Sequence, residues 1–168
     1  GMHNWPGRPV GSFAIRSGAF FAATDIWDIE IEGKGGHAAK PQETIDSTVV
    51  GSTLVLALQT IASRNADPIG QIVVSVTSFE TSSKAFNVIP QRVHLKGTVR
   101  TMSGEMRDLA ETRMKEISAG IAATYGAKIE VNYKRNYPVM VNHEEHTAYA
   151  AEAARAPAEA PVLAEAAE

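Results

Sequence analysis

The chain contains no cysteine. This excludes disulfides, thiolate metal sites and a cysteine nucleophile within its 168 residues, while leaving its redox compartment open. Long apolar runs are absent too: the best candidate, Thr48 to Leu58, is interrupted by Gly51, Ser52 and Thr53 and falls short of the roughly 20 apolar residues that a membrane-spanning helix needs. Charge of one sign is scarce, and a net charge of -3 gives no whole-chain attraction toward nucleic acid or anionic lipid. No Gly-x-Ser-x-Gly, Walker, dinucleotide-binding or His-Glu-x-x-His pattern occurs, so the commonest nucleophile, phosphate and zinc signatures are missing. What is present, 44% hydrophobic and 21% charged residues, is the composition of a globular chain long enough for one ordinary domain. The opening Gly1-Met2-His3-Asn4-Trp5-Pro6-Gly7 lacks the basic start and apolar stretch of a signal peptide and reads as a cut end.

Hydrophobic periodicity orders the middle of the chain. Ser12 to Ala23 reads as two short extended pieces broken at Arg16-Ser17-Gly18. From Ile26, Trp27, Ile29 and Ile31 alternate with Asp28, Glu30 and Glu32, the period of a half-buried strand. Thr44 is the expected cap of a helix whose stripe runs through Ile45, Val49, Leu54, Leu58 and Ile61 to about Arg64. Ile72 to Phe79 and Arg92 to Thr101 read as strands. Ser103 opens a second helix with Met106, Ala110, Met114, Ile117, Ile121 and Tyr125 on one face, and Gly126 stops it. Lys128 to Lys134 alternates as a fourth strand. This order predicts an α+β, ferredoxin-like βαββαβ domain over 26–134: a four-stranded antiparallel sheet with two helices on one face. Residues 1–25 precede it, and 135–168 hold one more helix, from about Glu144, and an Ala/Glu tail expected to fray.

Chemistry concentrates at Gly33-Lys34-Gly35-Gly36-His37-Ala38-Ala39-Lys40-Pro41, which sets an imidazole on a glycine-rich connection whose backbone freedom permits close approach to a ligand. An exposed turn with an incidental histidine is the ordinary explanation of the same residues. Phe86-Asn87-Val88-Ile89-Pro90 falls between the second and third strands, and in this topology His37 and Asn87 become neighbours at one end of the sheet. Arg100, eight residues along the third strand from Arg92, belongs toward the other end. His143 and His146 flank two glutamates, a pattern that a helix start explains through its macrodipole. The strand Val93 to Arg100 carries no aromatic residue on which bases stack, so nucleic acid is not an expected partner, nor is a membrane.

Taken together, His3-Asn4-Trp5-Pro6, Gly33-Lys34-Gly35-Gly36-His37-Ala38-Ala39-Lys40-Pro41, Asn87-Val88-Ile89-Pro90 and Gly97-Thr98-Val99-Arg100-Thr101 closely resemble the hippurate hydrolase and N-acyl-amino-acid amidohydrolase family, a branch of the aminoacylase and carboxypeptidase di-metal hydrolases. The resemblance covers about residues 1 to 150. It implies a catalytic domain with two zinc or manganese ions, and an inserted ferredoxin-like domain that forms a homodimer. It also implies roles: His3 as a metal ligand, His37 as the lid histidine that stabilises the oxyanion in the partner subunit's active site, and Asn87 and Arg100 as residues that hold the substrate's carbonyl or carboxylate.

The departures bear on activity. The family's His-x-Cys-Gly-His-Asp motif and its Glu-Glu pair are expected before residue 1, its last metal-ligand histidine beyond the Ala/Glu tail, and Gln42 stands where this branch usually has a second histidine. The expectation is therefore a cytoplasmic fragment, inactive alone and holding no metal stably, that self-associates through exposed sheet edges or the second helix. The alternative is a stand-alone ferredoxin-like module for a small ligand.

Overall fold

The computed structural model describes residues 1–155 and 162–163. The chain divides into two units, Ala22–Val139 and a second made of Gly1–Phe21 with the chain from Met140 onward. In the second unit, β1 (Phe13–Ala14) pairs in parallel with β10 (Val162–Leu163), β2 (Gly18–Phe21) pairs antiparallel with β9 (Met140–Asn142), and α3 spans Glu144–Arg155. The fraying expected of the Ala/Glu tail concerns residues 156–161 and 164–168, outside the described residues.

The Ala22–Val139 unit is the ferredoxin-like fold. Its strands β3 (Ala23–Glu32), β5 (Ile72–Thr81), β7 (Arg92–Thr101) and β8 (Lys128–Arg135) form one antiparallel sheet in the order β5-β7-β3-β8. A small second ladder joins β4 (Gly36–His37) to β6 (Val88–Ile89). Helices α1 (Ser47–Leu58) and α2 (Gly104–Tyr125) supply the rest of the core.

Alternation does what the sequence predicts on β3 and β7: Trp27, Ile29, Ile31, Val93, Leu95 and Val99 are buried, and they meet Val50, Leu54 and Leu58 of α1 and Ala110, Met114 and Ile121 of α2. Removing that much apolar surface from water is the main stabilising term of the unit. Gly97 completes the row by leaving room, since a Cβ there would lie 2.1 Å from both the Trp27 ring and the Ser75 carbonyl oxygen. The opposite face is polar and its side chains pair with one another, with Arg92–Glu30 at 3.4 Å, His94–Asp28 at 3.4 Å and Lys96–Glu80 at 3.7 Å.

The start of α1 differs from the sequence expectation. Thr44 does not cap α1; its hydroxyl donates to the Pro41 carbonyl at 2.8 Å in a short 3-10 turn over Pro41–Glu43. The cap is Asp46, whose carboxylate accepts from the amides of Thr48 at 2.8 Å and Val49 at 3.3 Å. With the helix starting two residues later, its inner face is Ser47, Val50, Gly51, Leu54 and Leu58, and Val49 is 49% exposed. Ser103 and Gly126 cap α2 as expected, the serine accepting from the Met106 amide at 3.2 Å and the glycine adopting φ of 68°.

Candidate functional site

β3 ends at Glu32, and the glycines that follow serve close packing rather than mobility. None of Gly33, Gly35 and Gly36 has a positive φ. A Cβ on Gly33 would lie 2.2 Å from the Ile45 carbonyl oxygen, and one on Gly35 2.9 Å from that of Ile89. The backbone is therefore drawn against two neighbours at once, with Lys34 and Ile45 exchanging amide bonds at 2.9 and 3.0 Å and the Gly33 amide donating to Gln91 at 2.9 Å. The buried Ser47 hydroxyl at the start of α1 donates to the Pro90 carbonyl at 2.6 Å. The connection after β3, the start of α1 and the loop before β7 are thus one tied assembly.

This assembly brings His37 and Asn87 together, as the topology predicts. His37 pairs with Val88 in the β4–β6 ladder, and the Ala38 amide donates to the Asn87 carbonyl at 3.0 Å. The imidazole is exposed, and its Nδ1 accepts from the Ala39 amide at 3.1 Å. An accepting Nδ1 puts the proton of the neutral ring on Nε2, which leaves a donor directed away from the backbone. His37 and Asn87 line an open groove of about 500 Å³ with Ser82, Ser83, Val88 and Gln91. The loop itself is held: Ser82 Oγ accepts from the Arg92 amide at 3.1 Å, and Ser83 Oγ from the Ala85 amide at 3.2 Å. Chemically the groove offers an imidazole N–H and an amide, donors suited to an oxygen on which negative charge grows.

Arg100 is not part of this groove. It pairs with Thr24 and Val73 at the far end of the sheet, and the eight residues from Arg92 correspond to roughly 26 Å of strand. Its guanidinium folds back on its own strand, onto the Thr98 hydroxyl and, at 3.0 Å, the Val99 carbonyl. His3 belongs to the other unit, where its ring lies 4.7 Å from that of Phe21. The rings of His143 and His146 are 5.7 Å apart. Among the described residues no three or more His, Asp or Glu side chains are grouped to hold a metal ion, so the residues present do not fit a metal pair.

Sequence reasoning missed one cluster altogether. Asp25, 1% exposed, receives both Nε and Nη2 of Arg107, the Tyr133 hydroxyl at 2.8 Å and the Asn136 amide at 3.2 Å. Burial pushes its carboxyl up, but the bonds from Arg107 and Tyr133 outweigh this and hold it below the usual carboxylate range. Burial and the same carboxylate push the Tyr133 hydroxyl well above the usual tyrosine range. The only available signal was a lone Asp preceding an apolar strand, which is too common to notice.

Comparison with known proteins identifies the family of the fold. Residues 26–126 match the model of the M20 peptidase dimerisation domain. The chain is 37% identical over 155 residues to hippurate hydrolase of Campylobacter jejuni, covering 92% of this chain and 40% of that protein. It is 41% identical over 141 residues to N-acetyldiaminopimelate deacetylase of Bacillus subtilis, covering 84% of this chain and 37% of that protein. Among solved structures it aligns with a dinuclear metal binding peptidase of the M20 family from Bacillus subtilis at a TM-score of 0.73 and 28% identity, over 99% of this chain and 40% of that one. The chain thus spans about two fifths of the length of the proteins it matches. With the matched segment running from β3 through the end of α2, the chain belongs to the M20 peptidase dimerisation domain family.

Proposed function

We propose that the chain is the dimerisation and lid portion of a metal-dependent amidohydrolase that cleaves the amide bond of N-acyl amino acids, with residues 26–134 as the lid, 1–25 as a remnant of the catalytic domain and 135–168 as the segment returning to it. The observation that carries this reading is the joining of His37 to Asn87 by the Ala38–Asn87 hydrogen bond, with the imidazole Nε2–H free to donate. The names of the relatives, a hippurate hydrolase and a deacetylase, support the substrate class. In the whole enzyme His37 donates Nε2–H to the substrate carbonyl oxygen in the partner subunit's active site, Asn87 adds an amide donor beside it, and Arg100 serves a carboxylate from the other end of the sheet. His3 contributes to a metal site completed by residues outside this chain, and the chain alone turns over no substrate. A cytoplasmic location accompanies this reading; among the described residues no helix is long and apolar enough to cross a membrane.

Self-association is the role this chain performs by itself, and the surface chemistry selects where. Of the two edge strands, β8 is guarded by Lys128, Glu130, Lys134 and Arg135, whereas β5 carries a single charge, Glu80. Beside β5 lies α1, which has no charged residue from Ser47 to Leu58 and exposes Val49 and Leu56, the latter 73% exposed. An uncharged helix that turns large apolar side chains outward beside an open strand edge is a surface suited to being covered. The second helix, with Glu105, Asp108, Arg113, Lys115 and Glu116 outward, is the poorer candidate. We therefore assign the homodimer contact to the β5 edge and α1. Sedimentation equilibrium on the chain tests this: the expected mass is twice 18.0 kDa, and Leu56→Glu raises the dimer dissociation constant at least tenfold. A wild-type chain that stays monomeric at high concentration, and is stabilised by a small ligand, would favour the binding-module alternative.

A further inference from the structure

We infer that Asp25, Arg107, Tyr133 and Asn136 form a clamp that locks together the two ends of the Ala22–Val139 unit. The unit begins and finishes in mid-chain, so its first and last strands must be brought side by side and kept there. The β3–β8 ladder ends at the pair Asp25 and Arg135, and beyond it the ends are joined by only two backbone bonds, Thr24 N–H to the Tyr137 carbonyl at 2.9 Å and Asn136 N–H to the Thr24 carbonyl at 3.1 Å. The last pairs of a ladder ordinarily fray. Here the Asp25 carboxylate sits directly behind them and gathers donors from three elements: Arg107 from α2, Tyr133 from β8 and the Asn136 amide from the segment that leaves β8. Arg107 also donates to the Asn136 carbonyl at 3.3 Å, so both sides of that peptide segment are held.

An ion pair at this depth is an inefficient way to add stability, because desolvation offsets much of the attraction and apolar side chains of the same volume do as well. Its advantage is direction. A bidentate guanidinium and a phenol fix the carboxylate in one orientation, and the carboxylate in turn fixes the Asn136 amide. The cluster is built to set the geometry of the ends, with the Tyr133 ring packed against the core beside it.

Hydrogen exchange on the whole chain, read by NMR, tests this. In Asp25→Asn the amides of Thr24 and Asn136 should exchange at least tenfold faster than in the wild type, a rise clearly larger than the one that lowered global stability gives Leu95 and Val131. Thr24 is the decisive probe, since its amide bonds to Tyr137 and not to Asp25. A rise shared equally by all four amides would make the cluster a general stabiliser and overturn the clamp, as would no change at Thr24. Tyr133→Phe, which removes only a hydroxyl, provides the same reading should Asp25→Asn fail to fold: faster exchange confined to the two ends supports the clamp, and unchanged ends overturn it.

Discussion

Gly97 and Trp27 face each other across adjacent strands, and the absence of one methyl group lets the indole lie flat against the sheet. Adding that methyl forces a Cβ to 2.1 Å from the Ser75 carbonyl oxygen as well as from the ring, so backbone must move. Gly97→Ala is expected to cost about 3 kcal/mol, the upper part of the usual overpacking range. Urea unfolding checks it, and an unshifted midpoint would contradict this packing. The sequence places Gly97 in the buried row of its strand but says nothing of why a glycine stands there, because the reason is the ring on the neighbouring strand. The glycines before His37 teach the same lesson in reverse. Their number reads as mobility, while their surroundings show backbone pressed on backbone.

At the scale of elements, helix and strand types were legible and their ends were less so. Thr44 and Asp46 are both acceptable caps two residues apart, and only the chain path after Pro41, which spends Thr44 on a separate turn, decides between them. Asp46→Ala should therefore destabilise the unit by about 1 kcal/mol and Thr44→Ala by clearly less, as measured by thermal unfolding. Strand β5 shows a different limit. Its inward residues are Ile72, Val74 and Val76 up to a bulge at Thr77, after which Phe79 packs over Gly51 of α1. The bulge shifts the alternation by one residue, so no single period describes the strand. The Thr77 hydroxyl, donating to the Lys96 carbonyl at 3.3 Å, occupies an acceptor beside the irregularity.

For the molecule as a whole, the buried carboxylate contributes to the response to acid. Because Asp25 is held below the usual carboxylate range when folded, the unfolded chain takes up its proton first as pH falls. The stability it contributes is present above about pH 4 and is lost as pH falls through the lowered native value. Asp25→Asn should be less stable than the wild type at neutral pH, and the difference should shrink on acidification, as read from urea midpoints between pH 7 and pH 3. A gap that stays constant would show that Asp25 titrates alike in both states.

What the sequence determined by itself was whatever depends on neighbours along the chain. Alternation marked β3, β7 and β8, the apolar stripe and the Ser103 and Gly126 caps marked α2, and the element order implied a sheet that carries His37 and Asn87 to one end and Arg100 toward the other. The tertiary structure alone decided what depends on groups distant in sequence. It drew Arg107, Tyr133 and Asn136 onto Asp25 from 82, 108 and 111 residues away. It also turned the imidazole of His37 so that Nδ1 faces its own backbone, and left uncharged α1 beside the unguarded edge of β5. Local patterns encode periodicity, which one strand or helix satisfies by itself. Burying a charge requires partners to converge from several elements, and that convergence exists only once the chain has folded.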